Sequence, residues 1–165
     1  MAGFSFSDDD FRTQLSPADF LAACDQAFRL YGQGVLLNPP RSETLDHGTY
    51  RLEMPASWPG HYLARKVIEE HPGSDGRLGF REAFVELEDL SRGTLIRLEA
   101  GYATDMRTGA ITAIGAKHLA RKGSKILGHI GARGTAYWNV RLLDRLFNFD
   151  EIRVHSRRAE SRDSF

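Results

Sequence analysis

The chain has 165 residues, of which 41% are apolar and 27% charged, the composition of a globular protein able to bury a core. Its 22 Lys and Arg balance 22 Asp and Glu, so no general field draws it to nucleic acid or to an anionic membrane, and any anion site must be local. A single cysteine, Cys24, excludes an internal disulfide and fits a reducing cytoplasm, while the lack of a basic-then-apolar start or a long apolar run argues against secretion or membrane insertion. Residues 1–15, acidic around Asp8, Asp9 and Asp10, read as a frayed leader or a short first strand. Ser16, Pro17 and Asp19 then form a helix start, with Phe20, Leu21, Cys24, Phe28 and Tyr31 on one face and Gly32 and Gly34 as the stop. Cys24 itself reads as a small buried hydrophobe on that face. Thr49 to Met54, Tyr62 to Ile68, Ala83 to Leu87 and Thr94 to Leu98 read as strands of an antiparallel sheet. From Ala103 to about Arg121 the pattern is helical, and Gly109, Ala110, Ala113, Gly115 and Ala116 give that helix a face of small residues suited to close packing against a sheet. Lys125 to Ile130, Ala136 to Leu146 and Glu151 to His155 then read as strand, helix and strand around a glycine turn.

That turn, Gly128-His129-Ile130-Gly131-Ala132-Arg133-Gly134-Thr135-Ala136, is the first constellation with chemical meaning. A dinucleotide fold places glycine at the tight turn and again where backbone passes the pyrophosphate, and a small residue where the helix packs on the strand. Gly131 and Ala136 fit the first and third positions; Arg133 occupies the middle one, with Gly134 a residue late. The alternative is a packing or helix-capping glycine. At the end of the second strand, where a ribose-binding acid is expected, stand His155-Ser156-Arg157-Arg158. Hydroxyl and guanidinium groups there suit a 2′-phosphate and favour NADP over NAD; the alternative is a solvated basic tail. Arg41, Glu53, Lys66 and Arg107 are charged residues among apolar neighbours, each by itself readable as a surface charge. The six histidines show no metal-ligand spacing with acids or cysteine, and no nucleophile elbow is present, so no metal is expected. Trp58 and Trp138 read as packing residues.

The runs Asn38-Pro39-Pro40-Arg41, Met54-Pro55-Ala56, Ala64-Arg65-Lys66-Val67, Thr104-Asp105-Met106-Arg107-Thr108-Gly109-Ala110 and Ala116-Lys117-His118-Leu119-Ala120-Arg121, followed by the glycine turn, resemble the first half of ornithine cyclodeaminases and mu-crystallins. The resemblance covers roughly residues 17–158. It implies an α+β substrate-binding and dimerisation domain, residues 1–122, followed by the first β-α-β unit of a Rossmann-type domain, residues 123–165. It implies hydride transfer between an amino or imino acid and NAD or NADP, in a homodimer. By position, Arg41 and Lys66 resemble ligands of the substrate carboxylate, Arg107 lies near both substrate and cofactor, and Glu53 resembles the acid that manages protons. Gly131, Ala132, Arg133, Gly134, Thr135 and Ala136 correspond to the pyrophosphate turn, and Ser156 and Arg157 to the ribose site. Three departures stand out: Arg133 replaces the middle glycine, Phe80 replaces a small hydroxylated residue, and the family's catalytic aspartate and the rest of its nucleotide domain would fall after Phe165. The expected product is therefore a truncated enzyme with little turnover of its own or, alternatively, a non-catalytic accessory or ligand-binding subunit.

Overall fold

The computed structural model describes residues 3–165. Its contacts form two compact units, one holding the chain up to Gln14 together with Ala27–Ala103, the other Leu15–Gln26 together with Thr104–Phe165.

The first unit is a six-stranded sheet in the order β1-β6-β5-β4-β3-β2, with β1 (Gly3–Phe6), β2 (Ser42–Asp46), β3 (Thr49–Trp58), β4 (Tyr62–Pro72), β5 (Leu78–Asp89) and β6 (Thr94–Glu99). Strands β2 to β6 pair antiparallel, as the alternation predicts, while β1 adds to β6 in parallel. Gly3–Phe6 is therefore the short first strand, the second of the two readings of this segment. Behind β1, Ser7 and Asp10 cap α1 (Asp8–Gln14) reciprocally: the Asp10 N–H donates to Ser7 Oγ and the Ser7 N–H to Asp10 Oδ2. Strand β2, to which the sequence pattern assigns no element, is held by a two-residue turn in which His47 and Gly48 both have positive φ, 46° and 83°, the twist that suits a hairpin. Asp89, only 6% exposed, organises the β5–β6 turn by accepting bonds from the Ser91 hydroxyl and the Ser91 and Arg92 amides.

The second unit takes the first half of α2 (Pro17–Gly32), most of α3 (Gly101–Leu119), and β7 (Ile126–Ile130), α4 (Thr135–Phe147), β8 (Glu151–His155) and α5 (Ala159–Asp163). Ser16 and Asp19 exchange the capping bonds that start α2. Strands β7 and β8 run parallel with α4 as the crossover, the expected β-α-β order. The core joins Ala110 and Ala113 of α3 to Leu142 and Leu143 of α4, with Phe20, Leu21, Cys24, Leu127, Phe147 and Phe149 packed around them. Gly109, Ala110 and Ala113 of the small-residue face of α3 meet α4, with Leu127 of β7 packed against the same cluster. A Cβ on Gly109 would stand 2.7 Å from the Trp138 carbonyl oxygen of α4, so glycine there sets how closely the two helices approach. Burial pushes the Cys24 thiol up, against the pull of the Arg107 guanidinium, which leaves it an inert packing group.

Candidate functional site

Side chains of successive strand residues point to opposite faces, and residues paired across strands share a face. In the first unit the register pairs Met54 with Lys66 and Lys66 with Val85, whereas Glu53 pairs with Val67 and Val67 with Phe84. Lys66 and Glu53 therefore stand on opposite faces of the sheet. The two residues expected to work at one reacting centre are not brought together within this unit.

The Lys66 face carries Leu52, Met54, Ile68, Val85, Leu87 and Leu98 around a lysine whose Nζ is buried. Arg41, exposed on the loop before β2, pairs with Glu43 at 3.1 Å. Glu43 shares the Lys66 face through its register with Leu52.

The Glu53 face is a lattice of opposite charges. Arg51 donates to Glu53 Oε1 at 2.7 Å and also to Glu69; Arg65 lies 3.5 Å from Glu53 Oε2 and donates to Glu86, which Arg97 also approaches. Arg97 additionally covers the Phe84 ring, 3.5 Å from its centroid. The hydrogen bond from Arg51 holds the Glu53 carboxyl below its usual range, outweighing burial and aided by the charges of Arg51 and Arg65. Such a group stays ionised and is a poor proton donor at neutral pH.

In the second unit the glycine turn joins β7 to α4. Gly131 has φ 110° and Gly134 φ 54°, both in the region that favours glycine, and a Cβ at either would meet nothing within 4 Å. Open space on the turn's backbone is what a closely approaching phosphate chain needs. The Gly131 N–H donates to the His155 carbonyl at 2.8 Å, tying the turn to the end of β8. Ala132 and Ala136 are buried, and Thr135 Oγ1 donates to Asp105 Oδ1 at 2.8 Å, anchoring the start of α4 to α3. Arg107, two residues further along α3, is exposed.

Arg133 is exposed at the turn and lines a cavity of about 390 Å³ with Arg158, Glu160, Ser161 and Ser164. Neither Arg133 nor Arg158 has an ion-pair partner among the described residues. Of the two residues expected at the ribose site, Ser156 is half-buried, with its carbonyl accepting a bond from Arg162, and Arg157 is exposed; Arg158 is the one that reaches the cavity. The residues of α5 carried no signal in the sequence because a single five-residue helix is too short for a periodic pattern.

One unit is thus a mixed sheet and the other holds a β-α-β segment with a glycine turn. The chain belongs to the ornithine cyclodeaminase/mu-crystallin family, whose model matches residues 8–165. It is 33% identical over 160 residues to an alanine dehydrogenase of Archaeoglobus fulgidus, covering 95% of this chain and 49% of that one. It is 31% identical over 105 residues to the ketimine reductase mu-crystallin of Rattus norvegicus, covering 62% of this chain and 34% of that one. Among solved structures, an archaeal alanine dehydrogenase dimer with bound NAD superposes with a TM-score of 0.88 at 31% identity, over 99% of this chain and 52% of that one. The Δ1-pyrroline-2-carboxylate reductase of Thermococcus litoralis, in complex with NADH and L-proline, superposes with a TM-score of 0.84 at 26% identity, over 98% and 51%. The chain thus spans about half the length of the relatives it matches. No helix among the described residues is long and apolar enough to cross a membrane.

Proposed function

We propose that this chain forms the substrate-binding and leading nucleotide-binding parts of an NAD(P)-dependent oxidoreductase or deaminase acting on a small amino or imino acid. The observation that carries the reading is the strand–turn–helix–strand unit whose two positive-φ glycines leave open backbone beside a cavity faced by two guanidinium groups. The open turn fits a dinucleotide: amides of residues 132–135 would hold the pyrophosphate at the start of α4, where the helix dipole favours negative charge. Arg133 and Arg158, with Ser161 and Ser164, favour a 2′-phosphate and hence NADP, outnumbering the one carboxylate, Glu160. The nicotinamide, when bound, supplies or accepts the hydride. Lys66 and Arg41 are assigned to the substrate carboxylate by their charge and by the family resemblance, and Arg107 to substrate and cofactor. Glu53, ionised and committed to Arg51 and Arg65 on the other sheet face, is assigned to that charged lattice instead of to proton transfer. Active assemblies are proposed to be dimeric and cytoplasmic.

The test is titration with NADPH and NADH, followed by quenching of tryptophan fluorescence, to which Trp138 on α4 contributes. Saturable quenching with NADPH at least tenfold tighter than NADH is expected; no binding of either would remove the cofactor reading. A Lys66→Met variant should retain its thermal stability, because methionine keeps the stem and drops the charge, while weakening capture of amino or 2-oxo acids about a hundredfold in calorimetry. An unchanged affinity would move the carboxylate site elsewhere.

A further inference from the structure

Glu69 and Glu82 face each other directly across β4 and β5, and both are half-buried. Like charges in that arrangement destabilise a sheet unless a cation lies between or beside them. Arg51 answers Glu69 through Oε1. The Glu82 carboxylate has neither an ion pair nor a hydrogen bond among the described residues. Beside them His71 completes a group in which one ligand atom from each of Glu69, His71 and Glu82 lies within 4.8 Å of the others. The imidazole is aimed: its Nδ1 stands 3.4 Å from Thr49 Oγ1, its ring stacks on Phe80 with centroids 5.8 Å apart, and its Nε2 is turned to Glu69 Oε2 at 3.7 Å. Thr49 therefore engages one ring nitrogen, and the other is turned toward the two carboxylates, where a cation replacing its proton would be shared by all three groups.

We infer that Glu69, His71 and Glu82 form a binding site for a first-row divalent transition cation of the zinc type, with Thr49 and Arg51 orienting its ligands. An imidazole and two carboxylates suit such an ion, whose bonds of about 2.0–2.2 Å would draw the three ligand atoms to roughly 3–4 Å apart, a small closure from their present spacing. Three protein ligands leave the remaining positions to water, and the side chain of His71, 38% exposed, gives the ion a way in. The site lies where the β4–β5 register shifts between His71 and Pro72, so a bound ion clamps the hairpin at its irregular end. The spacing rule that finds metal ligands along a chain misses it because Glu82 comes from the neighbouring strand. The inference does not depend on the proposed enzymatic function, since the three ligands sit on the sheet face away from Lys66.

The experiment is titration of tag-free, chelator-treated protein with Zn²⁺ by calorimetry, and with Co²⁺ by visible absorption, on the wild type and on Glu82→Gln, His71→Asn and His47→Asn. One equivalent bound at micromolar concentration is expected, with affinity falling at least a hundredfold in Glu82→Gln and His71→Asn and unchanged in His47→Asn, a histidine outside the cluster. Thr49→Val should weaken binding roughly tenfold through the freed imidazole. Glu82→Gln is isosteric, and an unaltered circular dichroism spectrum with lost metal binding separates ligand loss from misfolding. Absence of stoichiometric binding, or binding equally tight in Glu82→Gln and His71→Asn, overturns the site.

Discussion

The two units use arginine in opposite ways. On the sheet, Arg51 and Arg65 each pair with two glutamates and Arg97 with one, and each has at least one partner on a neighbouring strand, so their charges are consumed in holding strand to strand. At the glycine turn, Arg133 and Arg158 look into a cavity and pair with no carboxylate among the described residues. A guanidinium saturated by fixed partners has little left to offer a ligand, whereas one held open at a concave surface keeps its full fork of donors for an incoming phosphate. The number of arginines says nothing about function here; their pairing does.

The sharpest way to break this contrast is to reverse the open charges. The double variant Arg133→Glu, Arg158→Glu should weaken NADPH about a hundredfold or more, given roughly 1.5–3 kcal/mol for each charged hydrogen bond, with the melting temperature little changed. A collapse in stability instead would show that these arginines are structural like those of the sheet. Next in size, Gly109→Ala forces a Cβ against the Trp138 backbone and should cost about 1–3 kcal/mol in urea unfolding; an unchanged midpoint would mean that α3 and α4 separate freely. Smaller still, Arg65→Gln removes a half-exposed partner of Glu53 and Glu86 and should cost about 1 kcal/mol or less, with NADPH affinity untouched. A change in affinity would tie the sheet's charges to the cofactor after all.

The smallest effect concerns acid. Bonds from the Ser91 hydroxyl, then from the Arg92 and Ser91 amides, hold the Asp89 carboxyl below its ordinary value of 3.8 despite its burial. A carboxyl with a depressed folded pKa contributes stability that is complete above the unfolded value and fades as pH falls through the folded one. Asp89→Asn should therefore lower stability at pH 6 and narrow the gap to wild type below about pH 4. A gap constant over that range would assign the effect to geometry rather than charge.

How much of this was legible in the sequence depended on whether the signal was local. Strands β3 to β6 announce themselves by alternation between turn residues, and β-α-β by glycine placement, so both emerged, the strands up to seven residues short and the β-α-β elements within a residue of their bounds. Strand β2 did not, because Ser42 to Asp46 is an exposed edge strand with only Leu45 apolar and no buried face to pattern. Strand β1 gains its identity from a distant partner, β6, which no local pattern records. The family resemblance puts Glu53 and Lys66 at one reacting centre, whereas the parity of the hairpin sets them on opposite faces: with Trp58 opposite Tyr62, odd-numbered residues of β3 meet odd-numbered residues of β4. Arg158 displaced Arg157 at the cavity for a similar reason, since the chain's path after β8 decides which of two adjacent guanidiniums turns inward.

That same hairpin parity fixes how the gene can vary. Loss or gain of one codon between Trp58 and Tyr62 would set β4 half a pleat out of step, carrying Lys66 to the charged layer and Arg65, Glu69 and His71 into the apolar one. Substitutions at this corner are cheap by comparison, so natural and laboratory variants should change the letters of this turn but keep its length, or alter it by residues in pairs.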